Sequence, residues 1–116
     1  MKFPVLLVAA TAVLTGCAAP SQSDRSAGPN KVLTSTKQVA AVAQCIQVSW
    51  QNEAMFGTTS DVFMHKLGEG GFTVFTTEAR YFADVRGKGA DTTVEFYAPL
   101  TDSQAPLRAA AVATCL

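Results

Sequence analysis

The chain opens with a short apolar stretch that ends at a small residue, and this stretch limits which part of the chain can fold. Lys2 precedes an apolar run over residues 3–14, and Gly16 follows shortly after the run. A positive start, an apolar centre and a small residue at the end are typical of a secretory signal peptide. The run is shorter than the roughly 20 residues with which a helix crosses a bilayer. The sequence therefore predicts that residues 1–16 are a signal peptide.

The last residues of the leader and the residue after them carry a specific pattern, which reads Leu14, Thr15, Gly16, Cys17. This pattern resembles the lipobox of bacterial lipoproteins, and the resemblance covers the leader alone. It implies cleavage after Gly16 and a diacylglyceryl thioether on the Cys17 sulfur, usually with a further acyl chain on the new amino group. Two or more acyl chains hold a protein stably at a membrane. A plain secretory signal with a coincidental Cys17 is the alternative.

The residues after the lipobox bear on the membrane in which the protein is anchored. In lipoproteins, an Asp directly after the modified Cys tends to retain the protein in the inner membrane. This chain has Ala18 and Ala19 there instead. The resemblance therefore implies anchoring in the outer membrane of a bacterial envelope, with the domain facing the periplasm or the cell surface.

The rest of the chain has the size and charge of one neutral domain. About 100 residues remain after Gly16, which is enough for a single domain. Nine Lys and Arg residues balance nine Asp and Glu residues over the whole chain. Near-neutrality argues against nucleic-acid binding, and an envelope location argues against it further. No further long apolar stretch occurs, so we expect a domain that is soluble apart from its lipid.

Two cysteines remain once Cys17 is assigned to the lipid. Cys45 and Cys115 are an even pair in a compartment that oxidises thiols, so we predict a disulfide between them. Closing a loop of about 70 residues stabilises a fold by roughly 4 kcal/mol in the chain-entropy description. Two separate buried thiols are the alternative. A metal site is disfavoured because two Cys and the distant His65 lack ligand spacing.

The residues just after Cys17 are poor in large apolar side chains. They are rich in Ser, Pro, Gly and Ala up to Lys31, and such a segment buries too little surface to offset the entropy of ordering it. We therefore predict a flexible tether over residues 17–33, which lifts the domain off the bilayer. The single folded domain is expected over residues 34–116.

A first helix is expected to begin near Ser35 or Thr36 and to fade by Asn52. Ser35 with Gln38 three residues later is a capping-box pattern. Apolar residues then recur at three- and four-residue steps and mark one buried face. These residues are Val39, Val42, Ala43, Ile46 and Trp50. We expect Trp50 to be a core anchor, and ligand stacking is the alternative.

The middle of the chain is rich in Thr, Val, Phe and Tyr and changes to the pattern of strands. Glycine-containing segments separate most of these stretches, as in an antiparallel meander. The break near Glu78 contains neither Gly nor Pro, so residues 72–86 are either one long strand or two. The sequence thus predicts three or four strands, over residues 58–67, 72–77, 80–86 and 92–98.

A final helix is expected after Pro99, capped by Asp102 or Ser103. Its predicted buried stripe consists of Leu107, Ala110, Ala111 and Thr114. Packing beside the first helix would let Cys115 reach Cys45. The fold class predicted from this order is a two-layer α+β domain: an N-terminal helix, a three- to four-stranded antiparallel meander sheet and a C-terminal helix, with both helices on one face.

Residues for catalysis are few. His65 is the only histidine, and nothing places Ser49, Ser60 or Ser103 beside it in the spacing of a known nucleophile motif. The glycine-rich segments are better interpreted as hairpin turns than as phosphate loops. Three carboxylates, Asp61, Asp84 and Glu95, could pair for glycoside chemistry, but any domain of this size offers such candidates. We therefore predict no enzyme activity, no cofactor and no metal, with a small periplasmic hydrolase using His65 as the alternative.

Strand alternation predicts two different sheet faces. One face, with Val74, Ala83 and Val94, is mostly apolar and suits the side beneath the helices. The opposite face mixes aromatic and charged side chains, and exposed aromatics beside Arg are enriched where proteins bind partners. The alternative is that these residues form cross-strand pairs that stabilise an open sheet. The candidate partner surface consists of Phe75, Arg80, Phe82, Arg86 and Tyr97.

The function expected from these features is that of a small lipid-anchored envelope lipoprotein, a non-enzymatic binding or structural module. Its partner is another envelope protein, peptidoglycan or an incoming protein. An inhibitor or exclusion-type lipoprotein that acts on an incoming protein is one alternative, by analogy alone. An assembly accessory that oligomerises through the edge of the sheet near Thr58 is another.

Overall fold

The computed structural model describes residues 18–52, 56–57 and 61–116. The predictions for the signal peptide, for lipidation of Cys17, for Ser60 and for an oligomerising sheet edge near Thr58 lie outside the described residues. Within them, no helix is long and apolar enough to cross a membrane. The elements in chain order are α1 (Gln22–Arg25), β1 (Lys31–Ser35), α2 (Val39–Trp50), β2 (Val62–Leu67), β3 (Gly71–Thr76), a 3₁₀ turn (Thr77–Ala79), β4 (Phe82–Lys88), β5 (Asp91–Tyr97) and α3 (Ala105–Ala113).

The fold is α+β, as predicted, with one antiparallel sheet in the order β1-β5-β4-β3-β2. Strands β2 to β5 are consecutive neighbours and form the expected meander. The sheet has five strands rather than three or four, because β1 pairs antiparallel with β5 at the edge. This edge strand contributes little to the core, since only Leu33 of its residues packs against it. A weak apolar pattern therefore concealed it in the sequence.

Residues 18–33 do not form the predicted flexible tether. They contain α1, whose first turn is closed by a capping box between Ser21 and Asp24, and the first three residues of β1. Asn30 is tied to β5, because its amide donates to the Phe96 carbonyl. The prediction counted only apolar burial, whereas backbone pairing and polar contacts order these residues.

The break at residue 78 separates two strands, so residues 72–86 are not one long strand. Glu78 and Ala79 have φ values of 60° and 51° within a 3₁₀ turn between β3 and β4. Glycine usually occupies such left-handed positions in turns. Because Glu78 and Ala79 occupy them here, the sequence carries no glycine signal for this turn.

Helix α2 begins later than predicted, at Val39, because Ser35 is still paired with Thr92 as the last residue of β1. Its buried face carries four of the five predicted residues, Val42, Ala43, Ile46 and Trp50. For α3 only Ala111 of the predicted stripe is buried. Leu107, Ala110 and Thr114 are exposed, and α3 instead buries Arg108, Ala109 and Val112 beside Ala111.

Both helices pack on one face of the sheet, as expected. That face forms the main core together with α2 and α3, and it includes Val74, Ala83 and Val94. Cys45 of α2 and Cys115, just after α3, are joined by a disulfide with a Cα–Cα distance of 5.6 Å. The Ser49 hydroxyl lies 3.9 Å and 3.7 Å from the two sulfur atoms. The helical layer is thus held by a covalent link as well as by packing.

Candidate functional site

The sheet face opposite the helices, called the back face below, carries a small aromatic cluster. Phe75, Phe82 and Tyr97 form it, and they are only 1%, 3% and 6% exposed. The rings of Phe82 and Tyr97 are stacked with centroids 4.4 Å apart. The prediction of an open aromatic surface facing solvent is therefore wrong.

The N-terminal segment lies over part of this cluster, through Arg25. The Arg25 guanidinium is 5.3 Å from the centre of the Phe82 ring. Its Nε donates to Asp84 Oδ2 at 2.6 Å and its second terminal nitrogen donates to Oδ1 at 2.8 Å. The Asp84 side chain is fully buried, and its hydrogen bonds raise the pKa of Arg25. A tether residue expected to be free is thus the partner of a buried carboxylate.

Arg86 also belongs to the back face and is paired. One of its terminal nitrogens lies 2.6 Å from Glu95 Oε1, and the other lies 3.8 Å from Asp84 Oδ2. The Arg86 side chain remains 44% exposed. The cross-strand pairs at Arg86–Glu95 and Phe82–Tyr97 agree with the alternative interpretation, in which these residues stabilise the sheet. Two of the carboxylates considered for glycoside chemistry, Asp84 and Glu95, are thus both engaged by arginines.

Arg80 lies elsewhere, at the end of the sheet where the β3–β4 turn meets the loop after β5. It donates to Asp102 Oδ1 at 2.6 Å, and its Nε lies 3.4 Å from the Tyr81 hydroxyl. That hydroxyl donates to Asp102 Oδ2 at 2.5 Å, and the Gln104 amide donates to the same oxygen at 3.1 Å. The Asp102 side chain is 7% exposed, whereas that of Arg80 is 59% exposed. The cluster therefore holds the Arg80 guanidinium in a fixed position at the surface.

The electrostatics of this cluster favour a charged Asp102. Hydrogen bonds from Tyr81, from Arg80 and from the Gln104 amide lower the pKa of Asp102. The pKa of Tyr81 is raised, first by burial and then by its hydrogen bond to Asp102. Hydrogen bonds to Tyr81 and Asp102 raise the pKa of Arg80. The cluster is therefore a preformed ion pair with a bridging neutral phenol.

Arg108 lies beneath this cluster and is 2% exposed. Its guanidinium carbon is 3.8 Å from the centre of the Phe56 ring and 5.1 Å from that of Tyr81. A terminal nitrogen donates to the Trp50 carbonyl at 3.0 Å, and the Trp50 indole donates to the Arg108 carbonyl at 3.1 Å. Burial lowers the pKa of Arg108. This reciprocal pair joins the end of α2 to α3 and turns α3 so that Arg108 points inward.

Three of the cavities lined by described residues open at one end of the molecule, called the loop end below. A polar cavity of about 480 Å³ is lined by Arg80, Tyr81, Asp102 and Arg108 among others. A second cavity of about 550 Å³ lies between residues 27–30 and the Phe82–Tyr97 pair. A third of about 260 Å³ has an apolar lining that includes Phe96, Leu100 and Pro106. Arg80 lines the first two, Leu100 the last two, and Asp102 the first and third, so the cavities are contiguous.

The loop end also contains unusual backbone. Among the described residues, the non-glycine residues with positive φ are Glu78, Ala79 and Thr101, the last with φ 61°. Such conformations cost of order 1–3 kcal/mol each and cluster at functional sites. Leu100 beside Thr101 is 87% exposed, so it presents an apolar side chain to solvent at the loop end.

Sequence reasoning missed this site almost entirely. It treated Asp102 as a helix cap, and the Asp102 side chain does bond the Gln104 amide, but no spacing rule connects it to Arg80, 22 residues earlier. Of the predicted surface, the loop end brings together Arg80, Phe82 and Tyr97, which line the second cavity. Phe75 and Arg86 are not among the residues lining these cavities. The one available signal was a run of polar and turn-forming residues after Pro99.

Among the described residues, His65 and Ser49 of the hydrolase alternative lie on opposite sides of the sheet. The His65 ring lies on the edge strand β2 and stands edge-on to Phe75 of the back face, with centroids 4.9 Å apart. Ser49 lies beside the disulfide on the helical face. Across residues 18–52, 56–57 and 61–116, no group of three metal-ligating side chains could hold a metal ion.

Comparison with known proteins adds no relative to this description. The chain matches no protein-family model, no curated protein and no solved structure.

Proposed function

We propose that this chain is a lipid-anchored envelope lipoprotein that acts as a non-enzymatic binding module, with the loop end as its binding surface. The observation that carries the proposal is the convergence of three contiguous cavities around Arg80, Leu100 and Asp102. Strained backbone and a fixed ion pair at the same place support it, because a preformed site loses little entropy when a partner binds.

The chemistry of the loop end favours another envelope protein as the partner. Leu100 is an exposed apolar side chain beside an apolar groove. Arg80 is a charged side chain at the neighbouring cavity. Protein interfaces commonly combine an apolar centre with a polar rim and are enriched in Arg. The partner would insert an apolar side chain beside Leu100 and pair polar groups with Arg80 or Asp102.

The lipid anchor rests on the leader rather than on the domain. The residues from Leu14 to Cys17 carry the lipobox pattern, and the predicted lipid at Cys17 would hold the domain at the outer membrane. The disulfide between Cys45 and Cys115 suits a compartment that oxidises thiols.

The proposal is tested by site-specific photocrosslinking in intact envelopes. A photoreactive residue at position 100 is compared with one at position 48, because Leu100 and Val48 are both exposed apolar positions, 87% and 67%, and Val48 lies on α2. We expect an adduct of defined mass from position 100 and none of that mass from position 48. Mass spectrometry of the adduct identifies a protein or a peptidoglycan fragment.

Two arginine variants make this test specific to the loop end. Arg80→Ala should abolish the adduct, whereas Arg86→Ala, which removes the same charge from the back face, should leave it unchanged. Circular dichroism must show that both variants are folded. Two results together would exclude the loop end as the binding surface. In these, Arg80→Ala and Arg86→Ala give equal adducts from position 100, and position 48 gives the same adduct as position 100. An adduct consisting of peptidoglycan would keep the site and change the class of partner.

A further inference from the structure

The N-terminal segment is docked on the domain very close to the predicted lipid. Pro20 is buried, and its carbonyl accepts a hydrogen bond of 2.7 Å from Arg25. Arg25 in turn is held by both oxygens of the fully buried Asp84. We call residues 20–26 the docked segment. It fixes the chain to the back face only a few residues after Cys17.

This docking limits how far the domain can move from its anchor. Cys17 precedes Pro20 by three residues, and an extended chain spans at most about 3.3–3.6 Å per residue. The link between the anchor and the domain is therefore at most roughly 11 Å long. Such a link is too short to let a domain of this size turn freely above a membrane.

We propose that the docked segment holds the domain against the bilayer with its back face toward the phospholipid headgroups. The inference rests on the proposed membrane anchor that precedes Ala18. The docked segment lies over Phe82 on the back face, so the attachment point is on that side of the sheet. The helical layer then points away from the membrane.

The side chains of the back face suit headgroups rather than the hydrocarbon interior. Its exposed positions include His65, Lys88 and the half-exposed Arg86, together with the carboxylate of Asp91. Val32 is also exposed there, at 60%, because it pairs with Glu95 of the same face. A mixture of both charges with one apolar residue fits contact with a zwitterionic or weakly charged lipid surface.

The chain offers a matched pair of positions for testing the orientation. Val32 and Val48 are both exposed valines, 60% and 67%, and they lie on opposite sides of the sheet. Each is replaced in the full chain by an azide-bearing residue, which is coupled to a fluorophore after purification. The protein is reconstituted in phosphatidylcholine–phosphatidylglycerol vesicles that carry a nitroxide on the lipid headgroup. We expect several-fold stronger quenching at position 32 than at position 48.

A second variant tests whether the docked segment sets this orientation. An insertion of about 12 Gly and Ser residues after Ala18 lengthens the flexible link without touching the domain. Quenching at position 32 should then fall to the level of position 48, while circular dichroism stays unchanged. Equal quenching at both positions without the insertion, or an insertion without effect, would overturn the inference.

The same preparation tests the proposed orientation separately from the proposed lipid anchor. Mass spectrometry of the N-terminal peptide determines whether Cys17 carries acyl chains. Stronger quenching at position 32 with an unmodified Cys17 would support the orientation but overturn the lipid anchor, because the apolar leader also precedes Ala18. A protein that does not associate with vesicles would overturn both.

Discussion

Arg25 illustrates how one polar side chain can order a segment that has almost no apolar residues. Its guanidinium satisfies both oxygens of Asp84, whose side chain is completely buried, and removing one partner of a buried ion pair leaves an uncompensated charge. We expect Arg25→Ala to lower the free energy of unfolding by roughly 3 kcal/mol. Arg25→Lys should recover only part of this, because an ammonium cannot make the same two-pronged contact. Denaturation with urea measures both variants.

Arg86→Ala is the control for this prediction. Arg86 is half-exposed and pairs with Glu95 near the surface, where such pairs contribute about 0–1 kcal/mol. If Arg25→Ala lowered the free energy of unfolding as little as Arg86→Ala does, the docked segment would not be held by the Arg25–Asp84 pair.

The pH dependence of stability follows from Asp102 at the loop end. Its pKa in the folded protein is lowered by hydrogen bonds from Tyr81, Arg80 and the Gln104 amide, from an ordinary value of 3.8. Because the folded state favours the charged form, this contribution is complete above the unfolded pKa and is lost as pH falls through the lower folded pKa. We expect Asp102→Asn to lower the melting temperature at pH 7 and to flatten the fall in melting temperature as the pH drops below the ordinary pKa of 3.8.

Thermal unfolding followed by circular dichroism at several pH values measures this effect. The other carboxylates are the same in both proteins, so the difference between the two curves reports Asp102. Parallel curves for the native protein and the variant would contradict the assigned role of Asp102.

At the level of elements, the β2–β3 hairpin depends on one close backbone approach. A Cβ placed on Gly71 would lie 2.5 Å from the Leu67 carbonyl oxygen and 3.2 Å from that of Val85. These are backbone atoms that cannot move without disturbing the strands. Gly71→Ala is therefore expected to destabilise the fold by about 1–3 kcal/mol, measured by urea denaturation.

Gly87 in β4 provides the matched comparison. A Cβ there would meet only the Val39 side chain, at an ordinary 3.8 Å. Gly87→Ala restricts the unfolded chain without a clash, so it should be neutral or stabilising by up to about 1 kcal/mol. If both substitutions had the same effect, the close approach at Gly71 would not limit the hairpin.

The elements also show which parts of the fold could be predicted from the sequence. The side chains of β3, β4 and β5 followed the predicted period-two geometry, which put Val74, Ala83 and Val94 on the buried face. Strand β1 was not predicted, because it is held mainly by backbone pairing with β5 at a sheet edge. The rotation of α3 was missed because the predicted buried stripe left out Arg108, whereas three aromatic rings and the Trp50 carbonyl surround its guanidinium.

The site was less predictable than the fold for a related reason. Arg80 and Asp102 meet only because the β3–β4 turn and the β5–α3 loop converge at one end of the sheet. Strand alternation had placed Arg80 with Phe82 on one open face, but the residues from Thr77 to Arg80 leave the strand pattern. Long-range convergence of loops has no local sequence pattern, so the loop end became visible only in the folded chain.

At the scale of the whole molecule, the disulfide is the contact that spans most of the domain. It joins Cys45 and Cys115, which are 70 residues apart, and the strands β2 to β5 lie within the closed loop. Cross-linking so long a loop removes much of the freedom of the unfolded chain, by roughly 4 kcal/mol in the chain-entropy description. We expect the double variant Cys45→Ala/Cys115→Ala to lose about that much free energy of unfolding, measured by urea denaturation under oxidising conditions.

Ser49→Ala separates the covalent bond from its surroundings. The Ser49 hydroxyl contacts both sulfurs but does not close the loop, so this variant should stay within about 0.5 kcal/mol of the native protein. Adding a reductant should bring the native protein to the stability of the double variant and leave that variant unchanged. A double variant as stable as the native protein would mean that helix packing alone, through Ile46, Trp50 and Val112, holds the helical layer on the sheet.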